Sequence, residues 1–332
     1  MEEDYAGCRN TLRKAFELRD VPIEAIDIMI SSLTESSIKQ YNSCLKKWWQ
    51  YCKNNNVNPY KGTITEILKF LTEEFQGNKA SYGTLNSCRS AIALLQGPEV
   101  GEDARVKRFF RGIEKLRPSR PKYDTTWDPK TVLDHVSHWV TNEDITLKKL
   151  SFKLVTLLAL ITGQRMQTLG LINIKNMRRT KDGFEIEIPD RVKTSRINKP
   201  QPTLIVPNYR ENLKLCVASA LETYLKRTKI LRGVETKLFI SFKKPFKAVS
   251  SQTLSRWIKN TLKDSGIDMD TFSAYSTRHA STSAARRSGV DINVIKKAAG
   301  WSDKSGTFDK FYNRKIVQSK DSFAKSILNT AK

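Results

Sequence analysis

The sequence is poor in the residues that build metal centres and disulfide frameworks. Its 332 residues include only three histidines. His135 and His138 stand three apart in DPKTVLDHVSHWV, but no cysteine or acidic cluster completes a four-ligand set, so both read as helix-surface side chains. Five cysteines (Cys8, Cys44, Cys52, Cys88 and Cys216) form no C-x-x-C pair. Their odd number argues against a disulfide framework and suits reduced thiols inside a cell. Long apolar runs are missing too. The longest, Leu154 to Thr162, could not cross a bilayer, and no apolar core before a small-residue cleavage site opens the chain, so neither a membrane span nor secretion by that route is expected. Without a phosphate-gripping glycine loop or a carboxylate cluster, neither ATP nor Mg²⁺ is expected as a cofactor. No internal repeat or low-complexity tract is present.

Acidic residues are also in deficit: 34 Asp and Glu stand against 58 Lys and Arg, a formal net charge of +24. The excess lies on segments with helical periodicity and therefore on folded surface, which points to a polyanionic partner, nucleic acid ahead of a membrane. The length suits two domains. After a helical pattern over residues 3 to 30, Ile38, Tyr41, Leu45 and Trp48 make one helical stripe. TITEILKFLTEEF opens with a capping box at Thr63 and Glu66, and a third helix runs through Leu85, Cys88, Ile92 and Leu95 to Gly97-Pro98. In ARVKRFFRGIEKLR, the residues Val106, Phe109, Phe110, Ile113 and Leu116 form the expected buried stripe. Around it crowd Arg105, Lys107, Arg108, Arg111, Lys115 and Arg117, with only Glu114 between them, a cationic strip expected to meet phosphates.

RPSRPKYDTTWDP, with Pro118, Pro121 and Pro129, cannot continue that helix and reads as an exposed linker at 118–126. Helical patterns follow around Thr131 to Val140 and Leu147 to Ile161. GFEIEIP and TLIVP then read as strands joined by the basic loop RVKTSRINKPQ, with LFISF as a further candidate strand, and the rest is helical.

An apolar helix breaks at Thr162-Gly163, and Arg165 follows the break. Much later, AYSTRHASTSAARRSG places Arg278 at the mouth of a helix of small residues, Ala280 to Ala285. Trp301 comes after SGVDINVIKKAAG, and Tyr312 closes FDKFYNR. Together these residues fit one task, holding a phosphodiester under nucleophilic attack: two guanidinium forks match the non-bridging oxygens, Lys193 (preferred to Lys199) could protonate the leaving oxygen, and Tyr312 could attack.

This order of Arg, Lys, (His or Tyr)-x-x-Arg, Gly-(His or Trp) and Tyr resembles the tyrosine recombinase and phage integrase family over roughly residues 32 to 320, in a style like the Crypton and DIRS-type mobile elements of eukaryotes. The resemblance implies a mainly α protein with a small β-sheet in its catalytic domain (α+β). It would have an amino-terminal helical segment (1–31), a helical core-binding domain (32–117), the linker and a catalytic domain (127–332), closing on double-stranded DNA as a C-shaped clamp. The resemblance gives Arg165 the place of the first arginine, Lys193 that of the β-hairpin lysine and Tyr275 the first position of the H-x-x-R box. Arg278 takes the second arginine, Trp301 the His/Trp position and Tyr312 the nucleophile.

Three positions depart from the pattern. Tyr275 replaces histidine, Thr168 stands where an acid is common, and the 11 positions from Trp301 to Tyr312 are slightly long. His279 is expected to support Arg278 or touch phosphate, with a buried structural imidazole as the equal alternative, and Tyr275 to donate a hydrogen bond to a phosphate oxygen. The small residues behind Arg278 should let that helix pack closely under the site. A homo-tetramer on two duplexes is expected, monomeric or dimeric off DNA, acting in the nucleus. The tail residues Phe323, Ile327 and Leu328 are a candidate docking stripe. The rival readings are a type IB topoisomerase and a catalytically silent DNA-binding protein that kept the fold.

Overall fold

Side-chain caps start many of the helices. Thr34, Thr63, Ser81 and Asp103 each accept a hydrogen bond from a backbone N–H two or three residues on, at 3.2, 3.3, 3.2 and 2.7 Å, satisfying donors that a helix start leaves open. At Thr63 the box closes, because the Glu66 carboxylate accepts from the Thr63 N–H at 2.6 Å. The computed structural model describes residues 4–118, 122–193, 195, 201–302, 306 and 308–316. It divides into two compact units, Met1–Arg120 and Pro121–Lys332.

The first unit is helical: α1 (Cys8–Glu17), α2 (Ile23–Ser31), α3 (Glu35–Asn54), α4 (Ile64–Gln76), α5 (Tyr82–Gln96), α6 (Glu99–Glu102) and α7 (Ala104–Leu116). Its core is built on Trp48, fully buried, with the Phe70 ring edge-on at 5.3 Å and the indole N–H donating to the Pro59 carbonyl at 3.0 Å. The α7 stripe holds at Val106, Phe110 and Ile113 but not at Leu116, which is 77% exposed. Leu116 is the last residue of the helix, one turn beyond the end of the core at Ile113.

The second unit runs β1 (Thr125–Thr126), α8 (Pro129–Ser137), α9 (Leu147–Thr162), α10 (Met166–Leu171), β2 (Met177–Thr180), β3 (Gly183–Glu187), β4 (Thr203–Pro207), α11 (Val217–Thr228), α12 (Ser251–Asp264), α13 (Ser276–Arg287), α14 (Ile292–Ala298) and β5 (Lys315–Ile316). Antiparallel β2, β3 and β4 form a small sheet in which Phe184 faces Val206 and Ile186 faces Leu204, the buried positions of both strands. Their alternation is what a sheet with one covered face requires. β1 pairs with β5 in parallel. The fold is thus mainly α with small sheets. No described helix is long and apolar enough to cross a membrane.

α9 is buried on nearly every side, against α11, α12, α13 and β4. That explains its lack of a polar face and leaves one anomaly. Lys153 is fully buried on α9 and its Nζ has no hydrogen-bond partner among the described residues; burial, then the nearby charge of Lys214, pull its pKa down to about 8.

Two expectations fail here. LFISF is not a strand: Leu238, Phe239 and Ile240 are buried in succession, Ile240 makes only an isolated antiparallel bridge with Ala248, and the Leu238 and Ile240 N–H groups go to the Ile172 carbonyl at 2.8 Å and the Tyr224 hydroxyl at 3.1 Å. Nor is the whole of 118–126 an exposed linker. Residues 119–121 lie outside the described set, but Tyr123 is buried and its hydroxyl shares a hydrogen bond with Ser273 Oγ at 2.8 Å, while Thr125–Thr126 is β1. The stretch is held because its aromatic residue enters the core of the second unit.

Candidate active site

The site begins where α9 stops. Gly163 ends the helix in the left-handed conformation, φ +56°, which a side chain would strain. A Cβ there would also stand 3.3 Å from Thr282 Cγ2 and 3.6 Å from Ala299 Cβ. That close approach uses the small residues of α13: Ala280 and Ser283 are fully buried and Thr282 nearly so.

Arg278, at the start of α13, reaches into this junction and is 1% exposed. Its Nη1 donates to the carbonyls of Gly163 and, at 2.6 Å, of Ala299. These are the terminal carbonyls of α9 and α14, left open by the helices and carrying the negative ends of their dipoles. One nitrogen thus ties two helix ends, and Gln164 adds a second tie through its Nε2 to the Ala298 carbonyl at 2.7 Å. The guanidinium lies 3.9 Å from the Trp301 ring centroid. Its Nε and Nη2 make no well-formed hydrogen bond among the described residues, although the Tyr312 side chain faces the guanidinium, and the buried Trp301 Nε1 makes none. Burial, then the neighbouring charge of Arg165, draws the pKa of Arg278 down to about 10, with Tyr312 acting in the opposite sense, so Arg278 stays charged at neutral pH. A buried cation with open donors is costly alone and is compensated when an anion meets them. Arg165 caps α10, half-buried, with its charge felt by both Arg278 and Tyr275.

Tyr312 sits on a single π-helical turn, Phe308–Tyr312, and is 5% exposed. Ser283 Oγ donates to its carbonyl and accepts the Arg314 N–H at 3.0 Å. The Trp301 ring meets the phenol at 4.6 Å and 62°. The Tyr312 hydroxyl is hydrogen-bonded to that of Tyr275, the more exposed of the two at 43%. Burial, then this hydrogen bond to Tyr312, raises the pKa of Tyr275 to about 12, so Tyr275 keeps its proton and faces the other phenol.

Arg278, Trp301 and Tyr275 therefore each contact Tyr312, and Arg278 also contacts Trp301, with the charge of Arg165 nearby. Lys193 is not brought to them: it stands exposed in the turn after β3 with no contact to the cluster among the described residues, and Lys199 lies outside those residues. His279 is not at the surface either. It is 4% exposed and stacks on Tyr312, because the helix that aims Arg278 at the two carbonyls turns the next side chain inward. Thr168 is buried on α10. Phe323, Ile327 and Leu328 lie outside the described residues. Sequence reasoning missed Gln164 and Ser283. Ser283 was visible only as one more small residue, and Gln164 as a polar residue beside the helix break.

The cationic strip of the first unit has a different character. Arg105 pairs with Asp103 at 2.9 Å and Lys107 with Glu102 at 2.6 Å. Arg117 turns back onto its own unit, donating to the carbonyls of Ala80 at 2.9 Å and Phe75 at 3.4 Å and lying over the Phe75 ring. It ends α7 in an extended conformation that leaves the helical face, so it does not extend the strip. Arg108, Arg111 and Lys115 are exposed and have no ion-pair partner among the described residues.

The model of the phage integrase family matches residues 133–318, more than half of the chain and all of this cluster. The chain belongs to the phage integrase family. It is a tyrosine-type DNA recombinase, and solved structures of integrases share its fold. The Tn1549 transposon integrase in complex with circular intermediate DNA is 12% identical with a TM-score of 0.58, over 97% of this chain and 99% of that one. XerH recombinase bound to its difH substrate is 15% identical with a TM-score of 0.57, over 98% and 97%. A lambda integrase dimer bound to a COC′ core site is 16% identical with a TM-score of 0.53, over 90% and 96%. At these identities the likeness is one of fold. No curated protein matches the chain.

Proposed function

We propose that this recombinase is the site-specific integrase of a mobile element, acting in the nucleus, and that it cuts and rejoins DNA through a 3′-phosphotyrosyl intermediate on Tyr312. The observation that carries the reading is the contact of the Tyr312 phenol with Trp301, Arg278 and Tyr275, beside buried donors with no well-formed hydrogen bond among the described residues. A phosphodiester placed there would have its non-bridging oxygens met by Arg278 Nε and Nη2, by Trp301 Nε1 and by Arg165. As Tyr312 gives its proton to solvent and attacks phosphorus, the Tyr275 hydroxyl donates to the developing phenolate, since it holds its own proton throughout. The bond to the 5′ oxygen breaks, and Lys193 supplies the proton that oxygen needs to leave. A second strand's 5′ hydroxyl reverses the step. The bond energy stays in the phosphotyrosyl ester, so the reaction needs neither nucleotide nor metal. Arg108, Arg111 and Lys115 hold the duplex by its phosphates. Strand exchange takes place in a tetramer on two duplexes.

The experiment uses duplexes of randomised sequence, each carrying one 5′-bridging phosphorothiolate so that cleavage cannot reverse. The wild-type chain should form a denaturant-resistant adduct whose peptide maps to Tyr312, and Tyr312→Phe should bind DNA without forming one. No adduct from the wild type would mean a silent DNA-binding protein. Plasmid relaxation by the monomer without strand exchange would mean topoisomerase chemistry, and an adduct on Tyr275 would exchange the roles of the two phenols.

A further inference from the structure

A backbone tie leaves a tyrosine ring free about two side-chain torsions. Ser283 fixes the carbonyl of Tyr312 but nothing in that bond fixes the phenol. The ring is restrained by His279, whose imidazole lies parallel to it, 4.2 Å between centroids and 17° between planes. His279 is itself wedged: Tyr123 meets it edge-on at 5.1 Å and 85°, and Tyr275 at 5.4 Å and 71°. Tyr123 is fixed in turn by Ser273. A chain of rings thus runs from the segment before β1, through α13, to the phenol.

We propose that His279 is the positioning residue of the nucleophile, holding the Tyr312 ring in line for attack as a neutral stacking surface and not as a carrier of protons. The proposal rests on Tyr312 being the nucleophile. Parallel stacking directs the ring nitrogens away from the hydroxyl of the stacked phenol, and neither nitrogen makes a well-formed hydrogen bond. The charges that act on it are cationic: Arg314 from the segment after Tyr312, Arg278 from its own helix and Lys122 from before β1. With burial as the larger cause, they push its pKa down to about 4, against a weaker pull from the Phe311 backbone. The imidazole therefore stays uncharged at neutral pH. Alignment of an attacking oxygen is worth orders of magnitude in rate, and a ring that swings loses it.

The test compares His279→Ala with His279→Phe, which keeps a flat ring but has no nitrogen. In single-turnover cleavage of the phosphorothiolate duplexes from pH 5 to 8, His279→Ala should be slower than wild type by about 10- to 100-fold, with DNA affinity unchanged. His279→Phe should recover most of that loss and keep the wild-type pH profile. A folded His279→Phe as slow as His279→Ala, or a His279→Ala as fast as wild type, would overturn the proposal. A second readout does not depend on cleavage. With 3-fluorotyrosine at position 312, ¹⁹F NMR should show a held ring in wild type and His279→Phe and an averaged one in His279→Ala. If the wild type forms no adduct, the nucleophile reading fails, while the fluorine spectrum still decides whether His279 holds the ring; equal spectra in all three proteins would show that it does not.

Discussion

Arg278 in the second unit and Arg108, Arg111 and Lys115 in the first carry the same charge under opposite conditions. Arg278 is 1% exposed and bound to two helix-terminal carbonyls, whereas the α7 residues extend into solvent with no ion-pair partner among the described residues. A charge held in place and desolvated acts strongly on one phosphate at one distance, while a solvated charge on a flexible stem acts weakly, is screened by salt and accepts many positions. The difference separates chemistry from grip.

Breaking the first kind should cost most. Arg278→Ala should slow single-turnover cleavage by about 10² to 10³, and Arg278→Lys should recover little, since one ammonium cannot tie both carbonyls and keep donors for a phosphate. Lys193→Ala should cost about 10² on an ordinary phosphodiester and almost nothing on the phosphorothiolate, whose thiolate leaves without a proton. Equal losses on the two substrates would remove Lys193 from the role of acid. Tyr275→Phe should cost about tenfold. Because the Tyr275 pKa is raised to about 12, that loss should be constant from pH 6 to 9, and a loss that varied with pH would show a titrating group.

The solvated charges should behave otherwise. Arg108, Arg111 and Lys115 replaced together by Ala should flatten the slope of log affinity against log salt by about 2.7 if each meets a phosphate, leaving cleavage within a preformed complex unchanged. The paired Arg105 and Lys107 should contribute less to that slope.

Lys153 is a third case, a buried charge with no hydrogen-bond partner on its ammonium among the described residues. Its folded pKa, about 8, lies below its ordinary value, so the folded state binds fewer protons than the unfolded one between about pH 8 and 10.5. Stability relative to Lys153→Met should accordingly rise with pH across that window. At pH 7, Lys153→Met should be the more stable protein by roughly 1–3 kcal/mol. Denaturant melts of both proteins from pH 7 to 10.5 check this; a difference that did not change with pH would mean the ammonium is solvated.

Periodicity made the helices legible, because α3, α4, α5, α7 and α9 each bury a face or a whole cylinder that composition alone can mark. It failed where burial is consecutive, as at Leu238 to Ile240, and at a helix end, as at Leu116, where a stripe outruns the core it was drawn for. The candidate site was legible as residue types in order. Its contacts were not: Tyr275 and Tyr312 are 37 residues apart and Arg278 and Gly163 are 115 apart, so no local signal could place the two hydroxyls together or show that a guanidinium ties two helix ends. The inward turn of Arg117 toward Phe75 and Ala80 was hidden for the same reason. The pairing of Arg105 and Lys107 with the acids just before them could have been read.

One bond has a consequence for how such a chain can vary. Arg278 and Ser283 lie on the same helix five residues apart, a rise of about 7.5 Å; the first holds the carbonyls of Gly163 and Ala299 and the second holds the backbone of Tyr312. α13 therefore works as a ruler between the Arg278 guanidinium and the Tyr312 backbone. Substitutions within it change how well each end grips. One inserted or deleted residue between 278 and 283 would rotate the two ends by about 100° relative to each other and part them altogether. In this helix the number of residues is under tighter control than their identity.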